Sequence, residues 1–145
     1  MAITSAICSS FKQELLQGKH NFASSGGHTF KLALFTSSAS LGAATTDYST
    51  SNEITNTSGS AYTAGGATLT SVTPVLDSST AVCDFADVSF TSASFTANGC
   101  LIYNDSQSDK AVAVIAFGGD KTVSSGTFTI QFPTADASNA IIRIA

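Results

Sequence analysis

The sequence predicts an all-β protein: a two-sheet antiparallel sandwich, jelly-roll or immunoglobulin-like, with one N-terminal helix. About eight short runs rich in β-branched and aromatic residues are separated by groups of Gly, Asn, Asp and Ser, which favour turns. In residues 127–132, the apolar Phe128, Ile130 and Phe132 alternate with polar residues, which is the period of a strand with one buried face. The short, regular spacing of the runs indicates two packed antiparallel sheets.

The strand prediction is strongest between residue 100 and the C-terminus. Four strands are predicted there, at residues 100–103, 111–117, 127–132 and 140–144. The segments between them, at residues 104–109, 118–120, 124–126 and 133–139, are predicted as turns. Just upstream, Asn98 and Gly99 allow two interpretations. They form either a two-residue hairpin turn, since both accept positive φ, or a bulge in one continuous strand.

Further strands are predicted earlier in the chain, at residues 29–36, 67–75, 80–85, 88–90 and 93–97. Pro74 lies within the second of these runs and has no backbone N–H to donate. That strand is therefore expected at a sheet edge, or Pro74 at a strand end.

The N-terminal segment has the period of an amphipathic helix. Apolar residues recur at every fourth position, at Ile3, Ile7, Phe11 and Leu15. We predict a helix over residues 5–17, capped by Thr4 or Ser5 and ended by Gly18. This helix packs either on the chain's own core or, as an arm, on a neighbouring subunit. One domain is expected over residues 1–145, with the helix and a Gly-rich link in residues 1–27 and the sandwich in residues 28–145.

Residues 37–66 form a long tract of Ser, Thr, Ala, Gly and Asn with few apolar anchors. A loop of this length inside a compact domain usually carries a function or packs on something else. Together with the N-terminal helix, it is the predicted interaction surface. The candidate contact residues are Ile3, Ile7, Phe11, Leu15, Leu41, Tyr48 and Tyr62.

Composition argues against several classes of function. Only 11% of residues are charged, and 23 Ser and 19 Thr supply most of the polarity. Such a surface suits packing against neighbours, because few charges need to be desolvated. The net charge of −4 and the scattered lysines argue against nucleic-acid binding. No secretory signal and no membrane-spanning run is recognised, so we expect synthesis in a cytoplasm and no membrane partner.

The potentially reactive residues form no recognisable site. Cys8, Cys83 and Cys100 show no metal-ligand spacing and are expected to be free, buried thiols, although an intermolecular disulfide is the alternative. His20 and His28 lack the neighbours of a zinc site. The sequence therefore predicts no catalytic residue, no cofactor and no metal, and the protein is expected not to be an enzyme.

Several phrases together resemble a known group of proteins. They lie at residues 30–38, 41–43, 62–66, 101–104, 111–122, 128–133 and 139–144. The chain is similar in these phrases to small β-rich virion structural proteins of tailed bacteriophages. They are scaffold phrases, so the resemblance carries over no catalytic residue.

The resemblance implies a structural role in the virion. Proteins of this kind serve most often as capsid decoration or cement proteins, so the expected partner is the major capsid protein or another virion protein. A homo-oligomer, taken to be a trimer, is expected. One alternative is a tail, neck, baseplate or fibre component; another, of a different class, is a carbohydrate-binding module.

Overall fold

The computed structural model describes residues 2–55 and 61–145, and within them it contains eight strands, one α-helix and one short 3₁₀ turn. In chain order these are β1 (Ala6–Ile7), α1 (Ser9–Leu16), β2 (Phe30–Phe35), β3 (Ala67–Thr68), β4 (Ser71–Asp77), β5 (Thr80–Phe85), β6 (Val88–Asn104), the 3₁₀ turn (Asp105–Gln107), β7 (Lys110–Ile130) and β8 (Ile142–Ile144). The predicted two-sheet, mostly β architecture with one N-terminal helix is confirmed.

The strands form two antiparallel sheets that pack face to face. The larger sheet has the order β1-β7-β6-β2-β3, and the smaller one has the order β4-β5-β8. Phe30 of β2 meets Phe85 of β5 between the sheets, with ring centroids 5.8 Å apart, and Phe22 stacks on Phe30 at 4.3 Å. This aromatic contact joins the two sheets in one core, because all three rings are buried.

Two very long strands, β6 and β7, make the central hairpin, and here the turn predictions need correction. Residues 118–120 and 124–126 were expected to be turns, but they lie inside the single strand β7. β7 stays paired with β6 on both sides of these residues, and residues 117–120 bulge out of the ladder opposite the single residue 98. The predicted strands at 88–90, 93–97 and 100–103 likewise merge into β6.

Asn98 and Gly99 do not form a hairpin turn, and β6 continues through them as the bulge interpretation predicted, although the extra residues, 117–120, lie on β7. The register between β6 and β7 shifts between Ala97 and Gly99, while β6 runs on without a turn. Glycine is required there by space, because a Cβ on Gly99 would lie 2.7 Å from the main-chain oxygen of Ile115 and 2.7 Å from the Ile3 side chain.

The predicted strand at 67–75 is in fact two strands in different sheets. β3 pairs with β2 in the larger sheet, while β4 pairs with β5 in the smaller one. β4 is an edge strand, as Pro74 predicted, and its register shifts between Val72 and Val75 on either side of that proline.

The prediction of a helix from residue 5 is wrong for its first turn. Ala6 and Ile7 pair with β7, and Ile3 forms a bridge to Leu41. The apolar residues at every fourth position therefore lie partly on extended chain and partly on the helix. Ser5, a predicted cap, instead accepts the main-chain N–H of Ala116 through its hydroxyl. Covering the edge of β7 satisfies backbone groups that a longer helix would leave open.

The helix itself begins after Cys8, which makes no side-chain capping bond, and ends before Gly18. Gly18 has φ +72°, the left-handed conformation that favours glycine after a helix. The predicted end of the helix is therefore confirmed to within one residue, whereas its start was placed too early.

Candidate interaction surface

Three of the predicted contact residues belong to the chain's own core. Ile3 is 8% exposed, Phe11 is 1% exposed and Tyr62 is fully buried. Their side chains already pack against the sheets, so they have no free surface to offer to a partner. Their assignment to a contact surface is corrected on this ground.

The other four predicted residues are partly buried. Ile7, Leu15, Leu41 and Tyr48 all pack against the core. Leu41 is brought next to Ile3 by the bridge between them, and the main-chain N–H of Thr4 donates to the Leu41 carbonyl at 2.9 Å. The predicted helix and loop residues therefore do meet, but as an internal contact that fixes the N-terminus to the loop.

Tyr48 and Tyr62 meet at the buried carboxylate of Glu53. Each hydroxyl donates to Glu53 at 2.6 Å, and the main-chain N–H of Gly65 donates to it at 2.8 Å. The hydroxyl of Tyr62 also accepts the main-chain N–H of Leu34 from β2. We call this arrangement the Glu53 network, and it ties the described parts of the long loop to the larger sheet.

The exposed apolar side chains lie elsewhere, mainly on the smaller sheet. Leu76 pairs across to Ala81, and Ala81 pairs across to Ile144, so the three side chains form one row on one face. Leu76 is 71% exposed and Ile144 is 55% exposed. On α1, Leu16 is 91% exposed. The row of Leu76, Ala81 and Ile144 is called the apolar rim below.

A small apolar cleft opens beside this row, between α1 and the smaller sheet. Its volume is about 150 Å³. Ala81 and Ile144 of the rim line it, together with Phe11, Leu15, Phe22, Pro74, Val82, Cys83 and Ile142. Leu15 of the helix thus adjoins the rim, and the row and the cleft form one continuous apolar region where the helix leaves the sheet uncovered.

A second apolar depression lies along the outer part of β7. Its volume is about 590 Å³, and its aromatic walls are Phe117, Phe128 and Phe132. These rings are only half buried, although Phe128 packs on Phe95 with centroids 5.1 Å apart. Among the residues that the structure describes, Lys121 is the only charged one that lines it.

The titratable groups in the described parts of the chain form no metal site. No group of three or more His, Cys, Asp or Glu side chains within residues 2–55 and 61–145 is arranged to hold an ion. The acids near the β6–β7 turn pair with lysines instead: Asp47 lies 3.0 Å from Lys110, and Asp105 lies 3.6 Å from Lys31. Over the same residues, no helix has the length and apolarity to span a bilayer.

The three cysteines are free and buried, as predicted. Burial raises the pKa of Cys8 to about 11, and that of Cys83 and of Cys100 to about 12. A thiol with so high a pKa carries almost no thiolate at neutral pH, and thiolate is the reactive form. The thiols therefore act as small apolar core groups.

Sequence reasoning missed the apolar rim, although a signal for it was present. In β4, Val72, Val75 and Leu76 do not alternate with polar residues, and Pro74 marks the strand as an edge. An apolar edge strand without alternation indicates a surface that needs a cover.

Comparison with protein-family models, with curated proteins and with solved structures found no match for the chain.

Proposed function

We propose that this chain is a structural protein of a tailed-phage virion that decorates the capsid by binding the major capsid protein lattice through its apolar rim. The observation that carries the proposal is that the two large apolar side chains of the rim, Leu76 and Ile144, stand more than half exposed in one row. Exposed apolar groups gathered in one region are typical of surfaces that bind another protein. The resemblance of the core phrases to virion proteins supports the choice of partner.

The low proportion of charged residues in the chain favours the same role. Charged residues are 11% of the sequence, so a large contact desolvates few ions. Arg143, which lies next to Ile144 on β8, already donates to the carbonyl of Ala137 and so remains partly bonded when the rim is covered.

The energy available from the rim fits repeated, individually weak contacts. Full burial of one exposed leucine or isoleucine is worth roughly 1.5–3 kcal/mol, and the rim residues gain most of that value because they begin more than half exposed. Leu76 and Ile144 together supply roughly 2–4 kcal/mol, much of which is offset by the cost of association. Several rims on one oligomer would bind a lattice far more tightly than one copy.

The test is binding of the purified protein to phage heads that lack it. A charge placed in the rim by Leu76→Asp or Ile144→Asp should weaken binding by about tenfold to a hundredfold, because the charge must be desolvated at the contact. Thr127→Asp and Thr91→Asp are matched controls, since both residues are exposed on strands away from the rim. Binding that is equally affected by rim and control variants would contradict the proposal.

Location in the particle separates this role from that of a tail, neck, baseplate or fibre component. A decoration protein covers the lattice in many copies, whereas a tail part is present in few. Antibody labelling of intact particles should mark the head surface, and labelling confined to the tail would replace the capsid lattice by a tail partner. A carbohydrate-binding module would instead show glycan binding that is unaffected by rim variants.

A further inference from the structure

A buried chain of hydrogen bonds joins α1, the link that follows it and the end of β6. Glu14 Oε1 lies 3.1 Å from His20 Nε2, and His20 Nδ1 lies 3.0 Å from the side-chain nitrogen of Asn104. The same nitrogen lies 3.0 Å from Nδ1 of His28. Glu14, His20 and Asn104 are buried. We call Glu14, His20, His28 and Asn104 the polar relay.

The position of each proton in the relay follows from its neighbours. The side-chain oxygen of Asn104 accepts the main-chain N–H of Ser106 at 3.0 Å, which fixes the amide with its NH₂ group toward the two histidines. That group has two hydrogens, one for each Nδ1. Nδ1 of His28 also lies 3.2 Å from the main-chain N–H of Asn21, a second donor. Both Nδ1 atoms therefore present lone pairs, and both rings carry their proton on Nε2.

We propose that the polar relay is a proton-sensitive latch, which holds residues 9–28 on the larger sheet at neutral pH and releases them when His20 becomes protonated. A proton added to His20 goes to Nδ1, where it faces an N–H donor of Asn104. The amide cannot rotate to receive it, because its NH₂ group would then face the N–H of Ser106. Proton uptake is therefore accommodated only by moving His20 away from Asn104.

The surroundings of His20 favour the neutral ring in the folded state. Its side chain is fully buried, with Phe11 at 4.8 Å and Phe30 at 6.4 Å between ring centroids. The charged or titratable groups that act on it are Glu14 from α1 and Lys19 and His28 from the link. Burial lowers the pKa of His20 below its usual value, Glu14 opposes this, and Lys19 and His28 add to it.

The direction of the pH dependence follows from that lowered pKa. An unfolded or released histidine titrates near pH 6.5, so the released state binds more protons than the latched state just below that pH. The latch is at full strength above about pH 6.5 and weakens as the pH falls toward the lower pKa of the latched form. For each proton taken up on release, the equilibrium constant for release increases about tenfold per unit fall in pH within that window.

Release would have a structural consequence beyond the relay itself. Phe22 stacks on Phe30 at 4.3 Å, and Phe11 packs on Phe22 at 5.9 Å. Phe11 and Phe22 also line one wall of the apolar cleft between α1 and the smaller sheet. Detachment of residues 9–28 would therefore open this cleft and expose two aromatic rings of the core.

Hydrogen–deuterium exchange of the full chain tests the latch. With exchange rates corrected for the intrinsic effect of pH, peptides covering residues 9–28 should lose protection by about tenfold per pH unit below pH 6.5, while peptides from the centre of β6 and β7 should not. In parallel, NMR titration of the two histidine rings should place the pKa of His20 below 6.5. Unchanged protection of residues 9–28 across the titration of His20 would overturn the proposal.

The variant Asn104→Asp should reverse the direction of the pH dependence. The aspartate keeps the shape of the side chain and still accepts from Ser106, but it presents an acceptor to both Nδ1 atoms. It should therefore raise the pKa of His20. Residues 9–28 should then be better protected at pH 5.5 than at pH 7.5. Asn21→Asp is the matched control for a negative charge added beside the relay, because its side-chain oxygen already accepts the main-chain N–H of Ala23. If Asn104→Asp keeps the wild-type dependence on pH, the latch does not operate through this amide; if it fails to fold, the wild-type exchange and titration still decide.

Discussion

Removing the hydroxyl of Tyr62 should be the most damaging of the small changes in the Glu53 network. In Tyr62→Phe the Glu53 carboxylate loses a donor at 2.6 Å, and the main-chain N–H of Leu34 loses its acceptor at 3.0 Å. A hydrogen bond to a charged group is worth roughly 1.5–3 kcal/mol, and a buried donor left without a partner adds about 1 kcal/mol or more. The substitution should therefore lower the free energy of unfolding by about 3 kcal/mol.

Two neighbouring tyrosines serve as matched controls for the same loss of one oxygen atom. Tyr103→Phe removes a bond of 2.7 Å to the carbonyl of Gly65, which is a neutral acceptor, and should cost only about 1 kcal/mol. Tyr48→Phe removes a bond to the Glu53 carboxylate, but its side chain is only half buried, so a cost of about 1.5 kcal/mol is expected.

Urea unfolding monitored by circular dichroism, together with thermal melting, measures these differences. For a chain of 145 residues, 1 kcal/mol corresponds to a shift in Tm of roughly 3 °C, so Tyr62→Phe should melt about 10 °C below the wild type and Tyr103→Phe about 3 °C below. Equal costs for Tyr62→Phe and Tyr103→Phe would refute the reasoning. The hydroxyl of Tyr62 bonds a charged acceptor and accepts the N–H of Leu34, whereas that of Tyr103 bonds a neutral carbonyl. A double variant, Tyr48→Phe with Tyr62→Phe, should be non-additive, since both hydroxyls bond one carboxylate.

Two further predictions concern the core. Gly66→Ala should prevent stable folding or cost more than 3 kcal/mol in urea unfolding, because its Cβ would lie 1.9 Å from the main-chain oxygen of Leu32 at φ +81°; Gly118→Ala, at φ +76° with nothing within 4 Å, should cost only about 1 kcal/mol. Cys8, Cys83 and Cys100 should react with Ellman's reagent only after denaturation, since burial raises the pKa of each thiol, and rapid labelling of the native protein would contradict their placement in the core.

Local patterns predicted the strands well wherever a single rule applied. Strand β2 was placed within one residue at each end, because residues 29–36 combine β-favouring side chains with a turn on either side. The turns at 118–120 and 124–126 were mispredicted because glycine and serine favour both turns and bulges, and only pairing with β6 decides between them. Ala6–Ile7 was mispredicted as helix because a spacing of four is also compatible with a strand followed by a helix.

The contact residues were harder to predict than the fold, for a physical reason. Tyr48 and Tyr62 stand alone in a polar tract, and an isolated aromatic residue is equally suited to bind a partner or to anchor its own loop. The decision rests on Glu53, whose buried carboxylate needs donors from the loop itself. No local pattern reveals this requirement, because the three donors lie 5, 9 and 12 residues from Glu53, at no spacing that a helix or a strand repeats.

The geometry of β4 also determines how a partner would contact the apolar rim. The strand lies at a free sheet edge, which is where another strand could add, but Pro74 lacks a donor and the register of β4 shifts between Val72 and Val75. These two features disfavour a regular added strand, because the edge cannot offer a continuous ladder of hydrogen bonds. A partner would therefore contact the side chains of Leu76 and Ile144 instead of the backbone of β4. Binding should then depend on the chemistry of those side chains, which is the dependence that an aspartate placed at either position would reveal.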